Sequence, residues 1–385
     1  MTARLQALLH AGVAEGVFPR GWAVVRLGGE RVFDGGAGGA AASTIFDLAS
    51  LTKVMGTTAV FLSLWAEGKV EPETAVSRHF PGTPVAAAGI TVGDLLAHRS
   101  GLPAFVPLFA PAMGERPALF APDCPPAVRA GARRAVVDAA LATSPALALR
   151  TRAIYSDVGF LVLGELLGVV GAAPLDALVA ERVARPLGLA AGFRRLSAAP
   201  GPAGDIAPTG ATRPRAPAPG QEGTWAPLPS RPSPPGEVDD DNAWVMDGVA
   251  GHAGLFGTAA DVAAFGQAAL DELAGAGRLA PPGLWARALA RDTATPGGTR
   301  ALGFDTRLPG DAAAGASAGR YVGQVGPGAV GHLGFTGCSL WIDRARRLVV
   351  ALCTNRTALG RAETRIRQFR PRFHDAVVEE LGLVG

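Results

Sequence analysis

The chain has 385 residues, 48% of them hydrophobic, and a formal net charge of +3. That is enough apolar material for one large domain or two intimate lobes, and too little charge asymmetry for a nucleic-acid footprint. No apolar leader ahead of a small-residue cleavage site and no uninterrupted apolar run of about 18 residues occurs, so the expectation is a soluble, cytoplasmic protein with neither a membrane nor a nucleic-acid partner.

Residues 2–16 read as a helix, followed by two strands, "GWAVVRL" and "RVFDGG", joined across a Gly-Gly turn. From Ser50 to about Trp65 the sequence is apolar nearly all round, which predicts a buried helix with Ser50 and Lys53 in its first turn. Periodic segments separated by Gly and Pro then predict further helices: "TVGDLLAH", "PPAVRAGARRAVVDAALA", "SDVGFLVLGELLGVVG" and "PLDALVAERVARPLG". Eleven prolines between Pro200 and Pro235 exclude regular structure, so residues 199–236 are expected to form a long surface excursion. Helix resumes at "TAADVAAFGQAALDELAG", where Thr258 and Asp261 have capping-box spacing.

The last third turns to strands, "RYVGQVG", "AVGHLGFT", "CSLWIDR" and "RLVVALCTN", and closes on a helix over about 361–382. The arginine cluster "RAETRIRQFRPRF" reads as the solvated face of that helix in preference to a polyanion site. Strands at both ends with helices between them predict an α/β (α+β) fold. Its antiparallel sheet is built from the N- and C-terminal segments, with an α/β lobe over about 1–49 and 245–385. A helical lobe is inserted over about 50–244, and two lobes imply a cleft.

Residue scarcity points to the chemistry. Of 36 basic residues only Lys53 and Lys69 are lysine. Ser50 and Lys53 are spaced S-x-x-K at the start of a buried helix, so hydroxyl and amine share one face. An amine can take the serine proton if burial lowers its pKa, whereas Arg cannot lose its proton. The bland alternative is an ion-pairing lysine, the reading given to Lys69 in its polar turn. Tyrosine is also scarce, with two residues against 16 Phe. Tyr155, in "AIYSDVGF", stands where a helix begins and could relay a proton beside an amine; alone, it would read as a core aromatic.

Together these residues resemble the serine β-lactamase and penicillin-binding-protein superfamily, in particular its class C β-lactamase-like and esterase branch. "SLTK" resembles the first motif, "YSD" the second (Y-x-N) and "GHLG" the third (K-T-G or H-x-G). The similarity extends through "LLAHRSGLP" and "GVAGHAGLFGTAADVAAF". It implies a single β-lactamase-like domain and an acyl-enzyme on Ser50. Lys53 and Tyr155 would share its proton, the backbone N–H groups of Ser50 and Phe335 would form the oxyanion hole, and no metal or cofactor would be needed. Asp157 replaces the Asn of the second motif and would hold Lys53 cationic. His332 and Leu333 replace the Lys and Thr of the third, ahead of Gly334. Those two changes remove the groups best suited to a substrate carboxylate, with Thr336 or a nearby Arg left to compensate.

The implied enzyme is a carboxylesterase acting on a small ester or neutral amide. The alternatives are a β-lactamase, a D-alanyl-D-alanine peptidase, or a catalytically silent binding protein on the same scaffold. His252, in "GHAG", either lines the cleft, because its small neighbours allow close backbone approach, or is a buried structural histidine. "GASAG" around Ser317 matches a nucleophile elbow but lacks the preceding apolar strand. His10, His79, His98 and His374 have no metal-ligand spacing, and the three cysteines lack C-x-x-C spacing.

Overall fold

The computed structural model describes residues 2–121, 123–198, 204–311 and 317–384. Helix α1 (Thr2–Ala14) leads into strands β1 (Gly21–Leu27) and β2 (Glu30–Ala37). After the two-residue β3 (Phe46–Asp47) comes the buried helix α2 (Lys53–Ala66), whose first stretch, Lys53–Thr58, is wound as a π-helix. The central region supplies α3 (Pro126–Leu141) and α4 (Asp157–Gly171). The short strands β4 (Gly192–Phe193), β5 (Thr212–Arg213), β6 (Arg231–Pro232) and β7 (Leu255–Gly257) follow. Then come α5 (Ala259–Leu273), β8 (Asp305–Arg307), β9 (Ala329–Leu333), β10 (Ser339–Asp343), β11 (Leu348–Thr354) and α6 (Ile366–Glu380).

The main sheet has six strands in the order β2-β1-β11-β10-β9-β8. The first strands therefore pair with the last, Gly21 opposite Thr354 and Leu27 opposite Leu348. Both faces are covered. Val24, Val349 and Ala351 point into the core shared with α5 and the central helices, while Ala23, Val25, Leu348 and Val350 pack under α1 and α6 with Phe369 and Phe373. Two-sided burial explains why "RLVVALCTN" is a continuous apolar run with no alternation. The predicted capping box of α5 is present, Thr258 accepting from Asp261 N–H and Asp261 from Thr258 N–H. Among the described residues no single helix is long and apolar enough to cross a membrane.

Three expectations are corrected. "RYVGQVG" forms turns, because Gly319, Gly323, Gly326 and Gly328 all take positive φ; the edge strand is β8 instead. The last helix starts at Ile366, and its arginines are not a uniformly solvated face: Arg370 is buried and donates to the carbonyls of Gly334 and Cys338 at 2.5 and 2.7 Å. The proline-rich stretch does carry regular structure, the β5–β6 pair, and it is anchored inward. Arg213 is fully buried and ion-paired with Asp241, and Arg215 pairs with Asp239 at 3.1 Å.

Candidate active site

Strand β3 pairs with β7, and Leu48 N–H donates to Leu255 O at 2.9 Å. The chain then turns through Ala49, at φ 46, and delivers Ser50 to the start of the α2 region. Lys53 follows one turn later with its side chain wholly buried. Its ammonium places all three N–H donors: on Ser50 Oγ at 3.0 Å, on Asp157 Oδ1 at 2.7 Å and on the His252 carbonyl at 3.1 Å. Burial pulls the Lys53 pKa down, but the Asp157 carboxylate and Tyr155 outweigh it and leave the ammonium raised above its ordinary value.

Tyr155 stands over Lys53, whose Nζ lies 4.8 Å from the ring centre, and burial, followed by the nearby Asp157 charge, raises its pKa. Its position is fixed by what comes next. Ser156 caps α4, its Oγ accepting from Gly159 N–H at 3.1 Å and donating to Pro103 O at 2.7 Å. His98 lies against the Tyr155 ring, centroids 4.6 Å apart, and its Nδ1 accepts from Ser156 N–H at 3.0 Å. This gives "LLAHRSGLP" a physical role: its loop cradles the Tyr155 turn. His98 is thus a site-supporting residue that a search for metal spacing passes over.

The third motif ends β9. Gly334 N–H donates to Cys338 O at 2.7 Å, and a Cβ at Gly334 would sit 2.6 Å from Leu48 O, so only glycine lets this strand end approach the nucleophile turn. Among the described residues neither the Ser50 N–H nor the Phe335 N–H donates to an acceptor of the chain. Two unclaimed N–H donors beside a serine hydroxyl are what an oxyanion hole requires. His332 is buried, and burial together with the charge of Arg300 holds its pKa well below the ordinary value. Its Nδ1–H donates to Leu333 O at 2.8 Å, so the neutral ring keeps a lone pair on the unpartnered Nε2. His252 lines the cleft and is also structural. Its Nε2 bonds Asp240 Oδ1 at 2.9 Å, while its carbonyl receives Lys53.

These groups face a cavity of about 470 Å³ that continues past Phe335 to Arg367 on α6. Arg300, which sequence patterning does not single out, lies in its wall with its guanidinium 5.1 Å from the Tyr155 ring centre and its nearest carboxylate, Asp305, at 3.7 Å. A cation from another segment thus stands in the cavity wall beside Tyr155, where the third motif has His332 in place of lysine. Thr336 does not compensate for the missing hydroxyl, since it is fully buried and donates to Asp47 O at 2.7 Å. Ser317 reaches the cavity wall, but its hydroxyl meets no base among the described residues, and Gly315 and Ala316 lie outside them. Lys69 pairs with Glu67 at 2.7 Å on the surface. No group of three or more His, Cys, Asp or Glu among the described residues is placed to hold a metal ion.

The family model described as Beta-lactamase matches residues 5–370. The chain belongs to the beta-lactamase family. It has the α/β fold with an antiparallel sheet that the sequence resemblance implies. Over 247 residues it is 31% identical to a "Putative D-alanyl-D-alanine carboxypeptidase" of Escherichia coli strain K12, a match covering 60% of this chain and 52% of that protein. The chain thus spans about half the length of that relative. An N-acetylmuramyl-L-alanine amidase of Bacillus subtilis strain 168 is 28% identical over 333 residues, covering 81% of this chain and 68% of the other. Among solved structures, the octameric penicillin-binding protein homologue of Pyrococcus abyssi superposes with a TM-score of 0.69 at 16% identity, covering 99% of this chain and 77% of the other. EstCE1, a hydrolase with promiscuous acyltransferase activity, gives 0.64 at 20% identity, covering 96% and 98%.

Proposed function

We propose that this beta-lactamase family member is an acyl hydrolase of the carboxylesterase type, cleaving small esters or neutral amides through an acyl-Ser50 intermediate. The observation that carries the reading is the Ser50 Oγ to Lys53 Nζ contact of 3.0 Å, made beneath the Tyr155 ring, whose centre lies 4.8 Å from the same Nζ. Once Lys53 is neutral, it accepts the Ser50 proton as Oγ attacks the carbonyl. The Ser50 and Phe335 N–H groups take the developing oxyanion, and Tyr155, whose ring lies beside Lys53 in the same cavity wall as Ser50, passes a proton to the leaving group. Water then releases the acyl group by the same route in reverse.

Arg300 supports a second reading, in which the substrate is a peptide or related amide with a carboxylate near the scissile bond. The names of the carboxypeptidase and amidase relatives are consistent with it. Fluorophosphonate labelling followed by peptide mapping tests the nucleophile, with the label expected on Ser50. Ser50→Ala abolishes p-nitrophenyl butyrate turnover while Ser317→Ala retains it; the reverse pattern refutes the assignment. Arg300→Met separates the readings. A fall in kcat/KM of about tenfold or more on a D-alanyl-D-alanine peptide, with the ester little affected, selects the carboxylate substrate.

A further inference from the structure

Beneath the nucleophile lies a buried carboxylate that the acyl-transfer chemistry leaves unused. Asp47 is 1% exposed. Its Oδ1 accepts the Ala49 N–H at 2.8 Å and its Oδ2 the Asp239 N–H at 2.6 Å. Its backbone carbonyl accepts the Thr336 hydroxyl at 2.7 Å, one residue beyond the Phe335 donor. Asp239 precedes Asp240, which holds His252, whose carbonyl receives the Lys53 ammonium. One residue therefore touches the nucleophile turn, the strand end carrying the second oxyanion donor, and the wall that seats Lys53.

Ala49 gives this clasp its purpose. The residue directly before Ser50 sits at φ 46, in the left-handed region that disfavours any residue with a Cβ. An alanine remains there only if its surroundings over-determine it, and the Asp47 to Ala49 bond is a two-residue turn of the kind that does so. The acid suits the task better than an amide would, because a carboxylate accepts from both N–H groups while an asparagine offers one oxygen.

We propose that Asp47 is a positioning residue whose carboxylate holds Ala49 in its left-handed conformation, and so aims Ser50 Oγ toward the oxyanion donors while locking the nucleophile turn to the Asp239 wall. The proposal rests on the reading of Ser50 as nucleophile. It makes a specific demand: glycine at 49 takes positive φ without a clasp, so the need for Asp47 must shrink when residue 49 is glycine.

The test is a cycle of Asp47→Ala and Ala49→Gly, read as kcat and KM for p-nitrophenyl butyrate and as the rate of fluorophosphonate labelling at Ser50. In the alanine-49 background Asp47→Ala is expected to lower kcat about 30-fold or more with KM within about threefold, on the scale that misplacing a reacting group produces. In the glycine-49 background the same substitution should cost about fivefold or less, and Ser50 labelling should recover in parallel. If Asp47→Ala does not fold, Asp47→Asn replaces it in the same cycle, because the amide keeps one of the two acceptors. Equal losses in both backgrounds, or a kcat within about twofold of wild type for the Asp47 variant, overturn the clasp. A label on another serine in the wild-type protein overturns the Ser50 reading and this proposal together, whereas a Ser50 label with background-independent losses overturns Asp47 alone.

Discussion

In the proposed acyl transfer, the Lys53–Asp157 pair determines when Ser50 has a base. With all three ammonium hydrogens engaged at 3.0, 2.7 and 3.1 Å, Lys53 has no lone pair to offer, and Asp157 is the charge that keeps it so. Asparagine in place of Asp157 removes the anion that raises the lysine pKa, so a larger fraction of Lys53 is neutral at any given pH. The acid limb of kcat/KM for p-nitrophenyl butyrate should therefore move to lower pH in Asp157→Asn, by about one unit or more. Superimposable pH profiles for the two proteins would mean that Asp157 does not set the protonation of Lys53. At this scale the sequence was informative where residue type and rarity coincide: one of two lysines, one of two tyrosines and a serine at helical spacing meet in space. Arg300 was invisible for the opposite reason, being one arginine among many and brought to Tyr155 by tertiary packing alone. The role of Asp47 was equally hidden, since nothing in "FDLAS" announces that Ala49 needs restraint.

At the level of elements, the site depends on two backbones touching. On α4, Gly164 packs against Gly251, and a Cβ on Gly251 would lie 2.1 Å from Phe160 O. That approach brings the neighbouring His252 carbonyl within reach of Lys53. Gly251→Ala must push the loop away from α4, which should destabilise the protein by about 1–3 kcal/mol, the usual cost of overpacking, and withdraw an acceptor from Lys53. Thermal unfolding and ester turnover should fall together; a variant with wild-type stability would show that the loop relaxes without cost. The small residues of "GVAGHAGLFG" made such an approach readable in advance, as two-sided apolar runs made β9 to β11. The edge strand β8 was not readable, because three residues carry no periodicity. "RYVGQVG" misled because its β-prone residues are interleaved with glycines whose φ values decide the path.

For the whole molecule, the described part of the proline-rich excursion, from residue 204 on, is a structural wall and not an appendage. Composition pointed to a surface excursion without regular structure, which the β5–β6 pair corrects, and composition says nothing of where its arginines point. Arg213 is fully buried, donates to Asp241 and to the carbonyls of Val238 and Asp239, and lies 5.4 Å from the Trp244 ring centre. Arg361, from the segment before α6, reaches the same acids at 3.3 and 3.4 Å. The excursion is thereby tied to the C-terminal region across the cavity, and Asp239 and Asp240 are held where they support the nucleophile turn and His252. Arg213→Met keeps much of the side-chain volume but leaves buried acceptors unmet, and breaking one side of such a pair costs about 3–5 kcal/mol. The expected result is a loss of that order in denaturant unfolding, with limited proteolysis cutting first within the excursion and ester turnover falling as the wall loosens. If the network is instead replaceable by apolar packing, Arg213→Met will unfold at the wild-type denaturant concentration and resist the protease equally. The anchoring of the excursion would then reside in the remaining arginines, Arg215 and Arg361.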